Sequence, residues 1–124
     1  LIRIDRGLGM AVMKKGRLIS GSGMLEIGDT VTGEGERIGD MLCAGKDILG
    51  ALSLSLSNAL ILFDTDSLML CGAYLQSHPD FAQKLGEKIS GYMKREIKVT
   101  CSDVRNAAYG AAKSATEKFL SYID

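Results

Sequence analysis

One stretch decides what this chain can fold into. Leu52-Ser-Leu-Ser-Leu-Ser57 alternates with a period of two, as a half-buried strand would. The residues around it keep a different period. Ile48, Leu49, Leu52, Leu56, Ala59, Leu60 and Phe63 follow the i, i+4, i+8, i+11 stripe of a helix over a length unusual for a strand, and Leu54 and Leu62 mark a second apolar face. The segment from Asp47 to Phe63 is therefore read as a buried helix, which commits the chain to a mixture of helices and strands.

Upstream, three short segments, Leu1 to Asp5, Met10 to Lys14 and Arg17 to Ser20, are separated by Arg6-Gly7-Leu8-Gly9 and by Lys15-Gly16. Glycine accepts the positive φ of tight hairpin turns, so these segments predict a small antiparallel meander. Gly21 to Gly39 is too rich in glycine for a regular element and reads as a loop leading to a helix around Glu36 to Ala44. Downstream, Leu68-Met-Leu-Cys71 is a continuous apolar run, the pattern of a strand covered on both faces, ended by Gly72. Pro79 suits a first helical turn, and Phe81, Leu85, Ile89, Tyr92 and Met93 share one face of a helix reaching about Arg95. Ile97 to Cys101 reads as another strand. Ser102 or Asp103 can cap a last helix with Val104, Ala107, Ala108, Ala111, Ala115 and Phe119 inward and Gly110 allowing a close crossing. The order βββ, α, α, β, α, β, α predicts an α/β architecture in which helices cover a mixed sheet.

At 124 residues the chain is the size of a single domain, spanning residues 1–124. Its 46% hydrophobic and 24% charged residues exclude a disordered tail or a collagen-like repeat. Fifteen basic residues balance fifteen acidic ones, so nothing drives binding to a phosphate backbone. The longest strongly apolar run, Ala59 to Phe63, is far short of the roughly 20 residues that span a bilayer, and the first residues are no secretory signal. No membrane partner and a cytoplasmic location are expected. Cys43, Cys71 and Cys101 are too few and too far apart for a disulfide framework or a Cys-x-x-Cys metal knuckle, and are read as reduced, buried thiols. The six methionines read as core or gap-filling residues. His78, the only histidine, has no Asp, Ser or Cys constellation near it, and the charges from Lys84 to Glu96 form a solvated face.

The element order resembles one lobe of the actin-like, ribonuclease-H-like sugar kinases, and the residues narrow the resemblance to the repressor, open-reading-frame and sugar-kinase (ROK) family. Ile4-Asp-Arg-Gly-Leu-Gly-Met-Ala-Val-Met-Lys-Lys-Gly-Arg-Leu18 is similar to that family's strand, glycine loop, strand and turn. Gly23-Met-Leu-Glu-Ile-Gly-Asp29 is similar to its Gly-x-x-Gly-Glu-x-Gly-His sugar motif. Leu49-Gly-Ala-Leu52 through Leu68-Met-Leu-Cys-Gly72 resembles its Leu-Gly helix, its Asp-Pro turn and the strand that ends in Gly-Gly. Arg105-Asn-Ala-Ala-Tyr-Gly-Ala-Ala112 is similar to its closing Gly-Ala-Ala helix. Each motif is weak alone; their order and spacing carry the resemblance over nearly the whole chain.

The resemblance implies the C-terminal lobe of a two-lobed protein, whose missing upstream lobe holds the first phosphate loop and the catalytic aspartate. A first residue of Leu rather than Met agrees with a chain cut from a longer one. Glu26 and Asp29 are the implied sugar-binding residues, since a carboxylate accepts hydrogen bonds from neighbouring hydroxyls. Gly7, Gly9 and Gly72 are the implied nucleotide-binding positions: Gly7 and Gly9 by backbone N–H groups that would face a phosphate, Gly72 by close approach at a strand's carboxyl end. Each glycine also reads simply as a turn residue. The departures bear mainly on the nucleotide. Asp5 stands in the glycine loop, where a carboxylate repels polyphosphate unless Arg6 offsets it. Cys71-Gly72 replaces the terminal Gly-Gly, and Thr65 replaces the usual proline. Asp29 replaces the family's histidine and no cysteine-rich segment follows, so zinc is not expected.

The expected function is the sugar-sensing effector lobe of a ROK-type transcriptional regulator, binding a sugar or sugar phosphate in an interlobe cleft, with no catalytic residue of its own. By the resemblance it forms a homodimer and reaches DNA only through an upstream segment. The alternatives are the C-terminal half of a ROK sugar kinase, which alone would require ATP and Mg, and a degenerate stand-alone interaction module.

Overall fold

The computed structural model describes residues 1–18 and 25–102. Two sheets and four helices are built from them. The first sheet opens with strands β1 (Ile2–Ile4) and β2 (Leu8–Met10), an antiparallel hairpin with Ile4 opposite Leu8 and Ile2 opposite Met10. β5 (Ser67–Cys71) then lies parallel to β1, and β6 (Lys98–Cys101) lies parallel to β5, giving the order β2-β1-β5-β6. The second sheet is the separate hairpin of β3 (Met13–Lys14) and β4 (Arg17–Leu18), closed by Lys15 and Gly16, both at positive φ. The molecule is thus mixed α/β with a mixed four-stranded sheet.

The expected three-stranded meander is corrected here. The run from Met10 to Lys14 does not stay one strand: Met10 ends β2, and Met13 starts a hairpin outside the main sheet. Met10 pairs instead with Leu25, its N–H donating to the Leu25 carbonyl at 2.9 Å, so Leu25 lies on the β2 edge.

The helices are α1 (Ile38–Cys43), α2 (Leu49–Leu62), α3 (Tyr74–Ser77) and α4 (Phe81–Met93). The alternating Leu-Ser segment is helical, and its serines explain how. Ser53 and Ser57 are buried yet satisfied, Ser53 Oγ donating to the Gly50 carbonyl at 2.8 Å and Ser57 Oγ to the Ser53 carbonyl at 2.7 Å. Such back-bonding to the preceding turn lets a hydroxyl enter a helix interface without an orphaned group. Leu52, Leu56 and Leu60 of α2 and Phe81, Leu85 and Ile89 of α4 are buried together with Ile2, Ile4, Leu68 and Leu70 of the sheet. The two helices cover the sheet face carrying these alternate positions. The second apolar face expected of α2 is exposed: Leu54, Ile61 and Leu62 face solvent.

Other expectations change in detail. β5 is not covered on both faces: Leu68 and Leu70 are buried while Ser67 and Met69 are exposed, the alternation of a sheet with one packed face. Met13 is also exposed, at the start of its two-residue strand. Tyr92 departs from the buried face of α4, lying one turn from Ile89 where that helix leaves the core. Only Cys71 is a buried thiol, raised above the ordinary cysteine range by that burial; Cys43 ends α1 and Cys101 ends the edge strand, both exposed. The four-residue α3 had no counterpart in the sequence reading. The last helix expected after Ser102 lies outside the described residues.

Two close approaches hold the layers. Gly28 packs directly on Gly39 of α1: a Cβ on Gly39 would come within 3.1 Å of the Gly28 carbonyl oxygen. Gly86 lets α4 settle on β6, where a Cβ would meet Val99 Cγ2 at 3.0 Å.

Candidate functional site

The residues singled out in the sequence fall into two groups on either side of β2. Gly7 and Gly72 belong to the first, at the carboxyl ends of β1 and β5. The N–H of Asp5 donates to the Gly7 carbonyl at 3.0 Å, closing the β1–β2 turn. Gly72 leaves β5 at φ +116°, and a Cβ there would overlap the Ile4 carbonyl oxygen and come within 2.8 Å of the Ile4 nitrogen. The Ala73 N–H then donates to the Asp5 carboxylate at 2.7 Å. The two turns, 68 residues apart in sequence, are thereby joined through one side chain.

Asp5 is the residue the sequence reading placed differently. It is not a bare charge pointing at a ligand but an internal acceptor. The Ala73 N–H, foremost, holds its carboxyl below the usual carboxylate range; Arg3, whose Nε donates to it at 2.5 Å, acts in the same direction, and partial burial opposes both. Nothing in residue type alone marks this role. The signal was the adjacency of Asp5 to one glycine turn and of Ala73 to another. Gly9 pairs with Arg3 within the hairpin and takes part in neither turn.

Glu26 and Asp29 form the second group. They flank a single 3-10 turn, Ile27–Asp29, for which Glu26 is the N-terminal cap residue. Glu26 precedes the turn with non-helical backbone, φ −86° and ψ 69°, and Asp29 is its last residue. Ile27 and Gly28 are buried beneath it, which fixes the turn while leaving both acids exposed. Thr30 locks its end, donating from Oγ1 to the Ile27 carbonyl at 2.6 Å and lying 3.0 Å from Ser55 Oγ of α2. The Glu26 side chain has no hydrogen-bond or ion-pair partner among the described residues. Asp29 has one: Arg37 Nη1 lies 3.6 Å from its Oδ1, and the same guanidinium donates from Nε to Asp40 at 3.1 Å. Arg37 was missed because only the fold brings it beside the 3-10 turn, through the Val31–Arg37 bridge. No hydrogen bond or ion pair joins the two groups among the described residues.

Two cavities lie elsewhere, and none of the five predicted site residues lines either. One of about 500 Å³ is apolar, walled by Leu1, Met13, Leu56, Leu60, Phe63 and Met69. The other, about 440 Å³, opens between the α1–α2 loop and the segment that follows β5, with Lys46, Asp47, Tyr74, His78, Asp80 and Lys84 among its walls. His78 stacks on Tyr74 with ring centres 3.8 Å apart, and Phe81 meets Tyr74 edge-on. Burial, then the nearby Asp47 charge, pushes the Tyr74 hydroxyl above its ordinary range. Lys46 is held by Glu36 at 2.8 Å.

Among the described residues no group of three or more His, Cys, Asp or Glu side chains is placed to hold a metal ion, and no helix is long and apolar enough to cross a membrane. No protein-family model matches the chain, and no curated protein or solved structure matches it.

Proposed function

We propose that this chain is the ligand-binding lobe of a ROK-type, actin-like transcriptional regulator, with Glu26 and Asp29 receiving the hydroxyls of a sugar or sugar phosphate. The observation that carries the reading is the bond from the Ala73 N–H to Asp5. A phosphoryl-transfer lobe needs free backbone donors and no fixed carboxylate where its glycine turns meet the carboxyl ends of the strands. Here that donor is already taken, by a group that would repel polyphosphate. This favours sensing over phosphate transfer.

Glu26 supports the same reading from the other side of β2. Its carboxylate is exposed and has no hydrogen-bond or ion-pair partner among the described residues, and it precedes a turn that ends in a second exposed carboxylate and whose Ile27 and Gly28 are buried. Two exposed carboxylates three residues apart in sequence supply acceptors for sugar hydroxyls, and Arg37 beside Asp29 adds a cation that a sugar phosphate would use. A ligand held there and by an upstream lobe favours one interlobe closure, and only its differential affinity for the two closures moves the equilibrium.

The test is calorimetric titration of the complete protein with a panel of hexoses, N-acetylhexosamines and their phosphates. Glu26→Ala should weaken binding at least about tenfold, the loss of one or more hydrogen bonds to a charged group, with unchanged melting. Unchanged affinity in that variant removes Glu26 from the site. Release of ADP on adding ATP and one of these sugars returns the kinase reading.

A further inference from the structure

The cleft between the α1–α2 loop and the start of α4 carries charges that the fold does not use. It holds about 440 Å³, within the roughly 300–1,000 Å³ of small-molecule sites. Leu42, Leu49 and Phe81 give it apolar walls, and Tyr74 lies between His78, stacked on its face, and Phe81, set against its edge. The His78 ring is fixed in turn, Nδ1 lying 3.0 Å from the Tyr74 carbonyl oxygen.

Among the described residues the charged side chains lining this cleft are Lys46, Asp47, Asp80 and Lys84. The first two are already engaged. Lys46 Nζ donates to Glu36 at 2.8 Å, and Asp47 Oδ1 accepts the Leu49 N–H at 2.9 Å, capping α2. Asp80 and Lys84 are left. An aspartate directly before a helix normally caps it, yet no bond runs from the Asp80 side chain to the first turn of α4. An acid four residues before a lysine on a helix normally pairs with it. The Lys84 N–H does donate to the Asp80 carbonyl at 3.0 Å, which sets the two residues one turn apart, but their side chains form no ion pair. Neither side chain has a hydrogen-bond or ion-pair partner among the described residues. One anion and one cation thus stand about 6 Å apart along the helix axis, at 1.5 Å per residue, beside an apolar and aromatic recess. That arrangement complements a molecule that carries both charges on one carbon next to a large apolar group. A phosphate-bearing ligand suits it less, because Asp80 and Asp47 oppose the added negative charge.

We propose that this cleft binds a free α-amino acid with a large apolar side chain, its ammonium on Asp80, its carboxylate on Lys84 and its side chain against Leu42, Tyr74 and Phe81. The proposal is independent of the sugar reading, since Glu26 and Asp29 do not line the cleft.

Calorimetric titration of the 124-residue chain with L-phenylalanine should show one saturable site. L-Phenylalaninamide lacks the carboxylate, 3-phenylpropionate lacks the ammonium and L-alanine lacks the ring, so each should bind about tenfold more weakly or worse. Phenylalanine binding should fall by a similar factor in Asp80→Asn and in Lys84→Gln, with unchanged far-ultraviolet circular dichroism, since both positions are exposed. No saturable binding of L-phenylalanine up to about 10 mM overturns the site, as does undiminished binding in either variant. Equal affinity for L-phenylalanine and the two analogues that lack a charge overturns the roles of Asp80 and Lys84. Tighter binding of a nucleoside monophosphate than of L-phenylalanine overturns the ligand class.

Discussion

Gly72 offers the sharpest test of how this sheet is closed. Its φ of +116° is one that an L-residue adopts only under strain, worth about 1–3 kcal/mol. The steric cost comes on top. The Cβ of an alanine would overlap the Ile4 carbonyl oxygen and stand 2.8 Å from the Ile4 nitrogen, both backbone atoms of a fully buried residue in β1. No side chain can swing away, so β1 and β5 must part at their carboxyl ends. Parting them weakens the pairing of Arg3 with Cys71 and the bond from Ala73 to Asp5, each worth about 1 kcal/mol net. The expected loss for Gly72→Ala is therefore about 3–5 kcal/mol, a large part of the 5–15 kcal/mol typical of a domain. Urea denaturation followed by circular dichroism measures it. Gly7→Ala is the control: nothing lies within 4 Å of its Cβ and its φ is not positive, so it should fall within about 0.5 kcal/mol of the parent. A Gly72→Ala loss below about 1 kcal/mol would refute the reasoning, since neither the strain nor the overlap could then be as described.

Two further outcomes follow from the same contacts. Because the folded structure lowers the Asp5 pKa, its contribution is fully present above the unfolded carboxyl value of about 3.9 and is lost as pH falls through the lower folded value. Asp5→Asn should cost about 1 kcal/mol near neutrality and progressively less as pH falls below about 3.9, so the gap between paired urea melts should narrow with falling pH; a constant gap would place the effect elsewhere. Leu85→Ala, at a fully buried site between α4 and the sheet, should cost about 2–5 kcal/mol in the same melts, and a loss under about 1 kcal/mol would mean that α4 is not seated as described.

Much of this fold was legible because burial imposes periods on sequence. The stripe through Leu52, Leu56 and Leu60 gave α2 within two residues of its ends, and Phe81, Leu85 and Ile89 gave the buried face of α4. What failed depended on contacts between distant segments. Met10 belongs to one strand and Met13 to another because Leu25 returns to pair with Met10, a choice made by chain topology and invisible in the apolar run itself. The same holds at the candidate site. Glu26 and Asp29 were found by motif; Arg37 was not, since eight residues separate it from Asp29 and only the loop between them folds it back. α3 is four residues long, too short for any period to register.

The two groups of predicted residues now separate by what the fold asks of them. Gly72 and Asp5 are occupied by closure of the sheet: one has no room for a side chain, and the other holds the neighbouring turn. A resemblance that assigns such positions to a nucleotide competes with a sufficient structural account of the same residues. Glu26 has no such account. Its backbone caps the turn, but its carboxylate bonds to nothing among the described residues and buries nothing. Removing it should leave stability within about 0.5 kcal/mol of the parent, as for an exposed side chain without contacts. Any loss of ligand binding in that variant is then a loss at the site itself. Loss of binding in Gly72→Ala has no such meaning, because the sheet that positions every other residue would have moved.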